Sequence, residues 1–172
     1  MNAIIKKNVA RVIPKPKGKR GFSQGIFIPS NPEKCKNTTP VIYRSSYEAK
    51  LNRYLDSSPS VLAWVSESVK IPYWSEPDKK MRNYMIDYFV KIIKEDGSIE
   101  NLGLEIKPDS QTRPPKKSKR KREDVYLKEV YDYQVNQCKW RAAEIFCKSR
   151  GITFKIMTEY DLGIKKKKMK DC

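Results

Sequence analysis

Histidine is absent from the 172 residues of the sequence, and this absence excludes several kinds of active site. Triads with a histidine base, cysteine–histidine nucleophiles and zinc sites with imidazole ligands all need this residue. The four cysteines, Cys35, Cys138, Cys147 and Cys172, form no Cys-x-x-Cys pair, so neither a zinc ribbon nor a disulfide scaffold is indicated. Any hydrolytic chemistry must therefore use carboxylates, lysine or a hard metal ion.

Long apolar runs are also missing. No segment approaches the roughly 18 residues that a membrane-spanning helix needs. The basic residues 1–20 lack the apolar centre of a secretion signal. The sequence predicts a reduced intracellular protein with no membrane partner, and its length suits one domain with a core of its own.

Positive charge is in large excess and lies mainly in three segments. The chain has 37 Lys and Arg against 20 Asp and Glu, a net charge of +17. Residues 1–40 hold nine basic residues and one acid, residues 111–122 hold seven and none, and residues 164–172 hold five and one. A charge run is often only a solvated segment, and 113–122 also fits a nuclear localisation signal. Three runs around a nearly neutral body favour a polyanionic partner, and nucleic acid comes first.

The same composition divides the chain. It predicts a basic extended arm over residues 1–40, a folded domain over 41–163 with a basic loop at 110–122, and a lysine-rich tail over 164–172. Prolines in the loop oppose helix and sheet. Its expected nucleic-acid contacts are Arg113, Lys116, Lys117, Lys119, Arg120, Lys121 and Arg122.

Hydrophobic periodicity predicts an α/β domain. Helices are expected from Ser45 or Ser46 to Asp56 and from Glu123 to Arg150, with Gly151 as the C-cap. Strands are expected over Val61–Ser68, Tyr84–Ile93, Ile99–Lys107 and Ile152–Thr158, with a further extended piece over Val69–Trp74. In the second helix, the predicted apolar stripe comprises Leu127, Tyr131, Gln134 or Val135, Cys138, Ala142, and Ile145 or Phe146. This order of elements predicts a mixed α/β sandwich.

Carboxylates that strand periodicity brings together are the best candidates for chemistry. Residues i and i+2 of a strand share a face, so Glu105 and Lys107 project together while Ile106 points into the core. Asp87 lies on the preceding strand among apolar neighbours. Asp87 and Glu105 could share one or two Mg²⁺ ions, and Glu48 on the first helix could supply a third carboxylate.

Simpler interpretations remain open for each of these residues. The pattern D…E-x-K is loose and occurs by chance in many charged proteins. Glu48 could be a solvated helix residue or the i+4 partner of Arg44. Lys107 could be an ordinary strand lysine, and Lys139 a solvated one.

An ordered series of motifs resembles the head completion nucleases of T-even-like tailed phages, and more distantly the TnsA-type transposon endonucleases. The match covers about residues 22–164, most of the chain. The motifs are Val41-Ile-Tyr-Arg-Ser-Ser-Tyr-Glu48, Ser60-Val61…Trp64-x-Ser66-Glu67, Ile71-Pro-Tyr73, Tyr84-x-x-Asp87-Tyr-Phe-Val90, Leu104-Glu-Ile-Lys-Pro108, Asn136-x-x-Lys139-Trp140-x-x-Ala143 and Thr158-Glu-x-x-Leu162-Gly163.

The resemblance implies a PD-(D/E)XK restriction-endonuclease-like core, a central mixed sheet flanked by helices, and Mg²⁺-dependent cleavage of DNA. Asp87, Glu105, Glu48 and the backbone carbonyl of Ile106 would hold Mg²⁺, for which Mn²⁺ should substitute. Lys107 would be the catalytic lysine, and Lys139 would lie at the rim of the site. The proline of the motif name is absent, because Met85 and Ile86 precede Asp87.

In the phage setting, the resemblance implies action on packaged double-stranded DNA ends or at the portal vertex, in the bacterial host cytoplasm and in the virion. Other head and neck proteins would then be its partners. Two alternatives stay open: a DNA-binding neck protein without enzymatic activity, and an endonuclease of transposition or repair.

Overall fold

The structure is a computed structural model that describes residues 24–165. In chain order its strands and helices are β1 (Gly25–Phe27), β2 (Val41–Tyr43), α1 (Ser46–Ser57), β3 (Val61–Ser66), β4 (Lys70–Ser75), β5 (Lys80–Met85), β6 (Tyr88–Ile93), β7 (Ile99–Ile106), α2 (Glu123–Lys148) and β8 (Thr153–Met157). A 3₁₀ turn, Asp109–Gln111, follows β7. The lysine tail from residue 166 onward and the arm before residue 24 lie outside the described residues.

A four-stranded mixed sheet in the order β3-β6-β7-β8 forms the centre of the domain. β6 is antiparallel to β3 and β7, whereas β8 is parallel to β7. Parallel neighbours need a long crossover, and α2 supplies it. The carboxyl ends of β3, β7 and β8 and the amino end of β6 therefore lie together at one end of the sheet. The predicted α/β class and central mixed sheet are confirmed.

The sheet separates two apolar cores. On one side, Leu51 and Leu55 of α1 pack with Trp64 and Tyr88. On the other side, Ala143 and Cys147 of α2 pack with Ile86 and with residues of β4 and β5. Helix α1 begins as expected, because the Ser45 side chain accepts a hydrogen bond from the Glu48 amide as an N-cap.

The single strand predicted over residues 84–93 is wrong. β5 ends at Met85 and pairs with β4 in a separate two-stranded sheet, while β6 begins at Tyr88 in the central sheet. The chain leaves one sheet and enters the other at Ile86 and Asp87. An unbroken run of aromatic and aliphatic residues hides this change, because both strands have the same preferences.

The apolar stripe predicted for α2 is also partly wrong. Leu127 is 56% exposed and Ile145 is 66% exposed, whereas the buried residues are Trp140, Ala143 and Cys147. The prediction assumed packing along the whole helix. In the structure α2 packs against β4 and β8, and its buried positions begin at Trp140.

The free edge of β3 is covered by a segment of the expected N-terminal arm. The backbones of Lys34 and Lys36 hydrogen bond to Trp64, and the side-chain amide of Asn37 bonds to both the N–H and the C=O of Ser66. A side chain that pairs with strand backbone in this way removes an edge to which another strand could add. The described part of the arm, residues 24–40, thus packs on the domain.

Gly103 sets the distance between β7 and α2. A Cβ at this position would lie 2.9 Å from the sulfur of Cys147, which is fully buried. We expect Gly103→Ala to lower the free energy of unfolding by about 1–3 kcal/mol through overpacking. In the Cys147→Ala background, which removes the clashing sulfur, the same change should cost clearly less.

Urea denaturation of the wild type, both single variants and the double variant measures this coupling. Additive losses in the double variant would show that Gly103 is not a packing constraint.

Candidate active site

Asp87 is held at the end of the sheet by both neighbouring strands. Its backbone oxygen accepts the Glu67 amide at 3.0 Å, and its Oδ2 accepts the Ile106 amide at 2.7 Å. The carboxylate is thereby fixed against β7 one residue before Lys107. Sequence reasoning placed Asp87 within a strand; it lies at the junction between β5 and β6.

Glu105 and Lys107 project together from the end of β7, as their spacing predicts, and Ile106 between them is buried. The Lys107 Nζ lies 2.8 Å from Glu105 Oε1. The second oxygen, Oε2, accepts a hydrogen bond of 2.7 Å from the hydroxyl of Tyr84. The Glu105 side chain is 2% exposed and the Lys107 side chain 25%. A charge as deeply buried as that of Glu105 is tolerated because both of its oxygens have partners.

Burial lowers the pKa of Lys107, but the carboxylates of Glu105, Asp87 and Glu48 outweigh this effect, and the net pKa lies above the usual value. Lys107 is therefore a cation at neutral pH. It cannot serve as a general base in this arrangement, but its ammonium can stabilise negative charge on a neighbouring group.

Burial and the nearby charge of Glu105 raise the pKa of Asp87 to about 7, against the opposing effects of the Ile106 amide and Lys107. The two acids repel each other in a region from which water is partly excluded. A further positive charge beside Asp87 would favour its charged form.

Glu48 lies close enough to influence the charges of both Asp87 and Lys107. Its own oxygens hold the helix start: Oε1 accepts the Ser45 hydroxyl at 2.9 Å and Oε2 accepts the Arg44 amide at 2.8 Å. The Ser45 side chain in turn accepts the Glu48 amide, so this is a variant of the capping box in which the acid bonds the amide of the residue before the N-cap. The Arg44 guanidinium pairs with Glu67, so the simple i,i+4 ion pair with Glu48 is not what forms.

The donor atoms at this end of the sheet suit a hard cation, because all of them are oxygens. Among residues 24–165, no three acidic, cysteine or histidine side chains come together as a ready-made metal cluster. Mg²⁺ does not need one, since it is commonly held by one or two carboxylates together with waters and substrate phosphates. Asp87 and Glu105 meet that need. Ligation by Glu48 and by the Ile106 carbonyl stays a prediction.

Two residues that sequence reasoning assigned no role surround Glu105 and Asp87. Tyr84 is buried and bonds Glu105, and Glu67 bonds the backbone of Asp87. Their place in the motif series was the one indication in the sequence that these two residues belong to the site, because their spacing from the acids follows no recognisable pattern. Lys139 lies on α2 with its Nζ 5.9 Å from the centre of the Tyr84 ring. Its place at the rim of an active site stays a prediction. Trp140 is buried and packs in the domain.

The basic loop leaves the end of β7 directly beside the site. Several of its cations are already paired with carboxylates: Arg113 with Asp109, Lys117 with Glu123, Lys121 with Glu129, and Arg122 with Asp124. These pairs are largely exposed, so each contributes little to stability. The basic side chain of such a pair could therefore leave its carboxylate for a phosphate. Within residues 24–165, no ion pair is formed by the loop residues Lys116, Lys119 and Arg120.

The base of this loop is held by Glu159, which follows β8. Its Oε2 accepts the Asp109 amide at 2.8 Å, and its backbone oxygen accepts the amides of Ile164 and Lys165. Glu159 therefore fixes the start of the loop and the start of the lysine tail at one point. The backbone amide of Lys107 bonds to Met157, so β8 also supports the end of β7.

Comparison with known proteins identifies the family. Residues 58–159 match the family described as TnsA-like endonuclease, N-terminal. The chain belongs to this family. It is also 35% identical over 142 residues to the head completion nuclease of Enterobacteria phage T4, an alignment that covers 78% of this chain and 90% of that protein. The resemblance drawn from the motifs is confirmed, and the family range contains Asp87, Glu105 and Lys107 but begins after Glu48.

Between residues 24 and 165, no helix is long and apolar enough to cross a bilayer. The site itself lies at the sheet end, away from the open grooves of about 440 and 460 Å³ on the two faces of the sheet.

The raised pKa of Asp87 predicts a pH-dependent loss of stability. An acid whose pKa is higher in the folded state destabilises the fold as pH rises from about 4 to about 7, and the full cost is present above 7. Asp87→Asn cannot ionise and keeps an oxygen for the Ile106 amide. In metal-free buffer it should therefore raise the free energy of unfolding by roughly 1–3 kcal/mol at pH 8.

At pH 4 the variant should give no such gain, because Asp87 is then neutral in the folded wild type. Urea denaturation of both proteins in EDTA at the two pH values measures the difference. An equal change in the free energy of unfolding at pH 4 and pH 8 would mean that ionisation of Asp87 does not destabilise the fold.

Proposed function

We propose that this protein is a Mg²⁺-dependent DNA endonuclease that acts in phage head completion, on packaged DNA ends or at the portal vertex. The observation that carries the proposal is the contact of a buried carboxylate, Glu105, with the ammonium of Lys107 beside Asp87 at one end of the sheet. The family of the chain and the name of its phage T4 relative support the nuclease activity and its setting.

The proposed roles follow from the charges of the groups. Asp87 and Glu105 would hold Mg²⁺, with Glu48 and the Ile106 carbonyl as further oxygen donors, and Mn²⁺ should substitute because it prefers the same ligands. When bound, the ion would lower the pKa of a water molecule and neutralise charge on the phosphate. The ammonium of Lys107 stabilises the extra negative charge that develops on the phosphate when water attacks.

The substrate side of the proposal rests on the distribution of charge. The carboxylates at the site repel a polyanion, so DNA must be held by cations nearby. The basic loop starts three residues after Lys107 and provides them, and Lys139 adds a cation at the rim. Contacts of this kind bind the phosphate backbone and carry no information about base sequence.

A purely structural DNA-binding role is the rival interpretation. It gives no reason for burying an acid next to a lysine at the sheet end, since a buried ion pair usually stabilises a fold no better than apolar residues do. Enzymatic chemistry gives such a reason.

Cleavage of supercoiled plasmid tests the proposal. The wild type should nick DNA with Mg²⁺ or Mn²⁺ and lose this activity in EDTA. Lys107→Ala should lose at least tenfold in rate, and Lys107→Arg should recover little, because a planar guanidinium does not replace a compact ammonium.

Lys91→Ala is the matched control, because Lys91 is an exposed lysine of β6 that lies away from the acids. It should cleave like the wild type. Wild-type rates in Lys107→Ala, or no metal-dependent cleavage at all, would contradict the proposed function.

The basic residues of the loop that form no ion pair should contribute most of the loop's affinity for DNA. Replacing Lys116, Lys119 and Arg120 by Ser should weaken binding at moderate salt. The slope of log affinity against log salt should fall by about 0.9 for each phosphate that the variant no longer neutralises. The rate at saturating DNA should change little, because these residues supply no metal ligand.

Fluorescence anisotropy with duplex DNA of several sequences measures the effect, and all sequences should weaken alike. A control with Arg53, Lys91 and Lys148 replaced by Ser removes the same charge elsewhere on the surface. If both triple variants bind DNA equally weakly, net charge rather than the loop holds the DNA.

A further inference from the structure

The hydroxyl of Tyr84 contacts the candidate site but has no part in the roles above. It donates a 2.7 Å hydrogen bond to Glu105 Oε2, and the tyrosine is only 7% exposed. The bond joins two separate sheets, because Tyr84 belongs to the β4–β5 pair and Glu105 to the central sheet. The Glu105 side chain at the end of β7 is therefore fixed by a residue that belongs to neither of the strands paired with β7.

The two oxygens of Glu105 have different partners as a result. Oε2 is bonded to the neutral phenol, whereas Oε1 contacts the Lys107 ammonium. A buried carboxylate with a partner on each oxygen cannot rotate without breaking one of these interactions. The carboxylate plane is thus set by the protein before any ligand arrives.

Tyr84 is itself held in place from several directions. On the inward face of its sheet it lies opposite Ile71, and the cation of Lys139 lies over its ring. The turn between β4 and β5 is attached to α2 by a 2.6 Å hydrogen bond from Tyr131 to Asp78. A phenol anchored in this way is a rigid donor.

We propose that Tyr84 is a positioning residue: it keeps Oε2 of Glu105 bound within the protein, so that Glu105 offers the single oxygen Oε1 to a divalent cation. The inference rests on the proposed function, since it assigns Glu105 to a metal. Groups that orient a metal ligand by hydrogen bonds typically change metal affinity by 10–100-fold when removed.

The test compares Tyr84→Phe with Tyr88→Phe. Tyr88 is a suitable control because its hydroxyl is also buried and also makes a 2.7 Å hydrogen bond, but to Asn52 and not to an acid. Calorimetry of the full chain with Ca²⁺ in the absence of DNA reports cation affinity apart from activity. Tyr84→Phe should weaken Ca²⁺ binding at least tenfold, and Tyr88→Phe by less than about twofold.

Cleavage assays add a second readout. The Mg²⁺ concentration for half-maximal rate should rise about tenfold in Tyr84→Phe, while DNA affinity in EDTA stays at the wild-type value because the loop is intact. Equal Ca²⁺ affinity in Tyr84→Phe and wild type overturns the inference and leaves the proposed function standing. A wild type that neither binds Ca²⁺ nor cleaves DNA overturns both.

A measurement on the wild-type fold covers the case in which Tyr84→Phe does not fold. With a ring-deuterated tyrosine at position 84, ultraviolet resonance Raman spectra report whether the phenol is a hydrogen-bond donor. The donor signature should persist at saturating Ca²⁺. Its disappearance on addition of Ca²⁺ would show that Glu105 releases Tyr84 to bind the ion, which contradicts the inference.

Discussion

A buried carboxylate, Glu105, and a half-buried one, Asp87, lie close together and impose the constraint on which the site depends. The antiparallel pairing of β6 and β7 brings Asp87 next to the end of β7, and Glu105 lies there on the same strand as Lys107. The structure compensates their repulsion with one ammonium, one backbone amide and one phenol. Since one ammonium stands against these acids, the charged form of Asp87 is disfavoured and its pKa is raised.

The parts of the fold that surround the acids can be understood from this constraint. Helix α1 brings Glu48, whose own oxygens cap the helix, and the turn after β3 brings Glu67 to the backbone of Asp87. The β4–β5 sheet brings Tyr84 against Glu105, and α2 packs behind it with Lys139 over the phenol ring. Tyr84, Glu67 and Glu48 thus affect the position or the charge of an acid directly, whereas Lys139 contacts only the ring of Tyr84.

Sequence reasoning predicted the helix starts, the class of fold and the pairing of Glu105 with Lys107, because capping residues and strand alternation are local rules. It missed the break at Asp87, since two strands of different sheets share one apolar run. It misplaced the stripe of α2, because tertiary packing decides how much of a helix is buried. Tyr84 was missed as a partner of Glu105 for the same reason: their hydrogen bond joins two sheets, 21 residues apart in sequence.

Glu159 holds the basic loop and the lysine-rich tail together where each of them begins. Its carboxylate holds Asp109 at the base of the basic loop, and its backbone oxygen holds Ile164 and Lys165, from which the lysines of the tail continue in the sequence. Segments that begin at one residue cannot separate at their bases. A polyanion bound at the proposed loop contacts would therefore lie close to Lys165, the last described residue, and a second weak attachment there would act with the first as one bivalent contact.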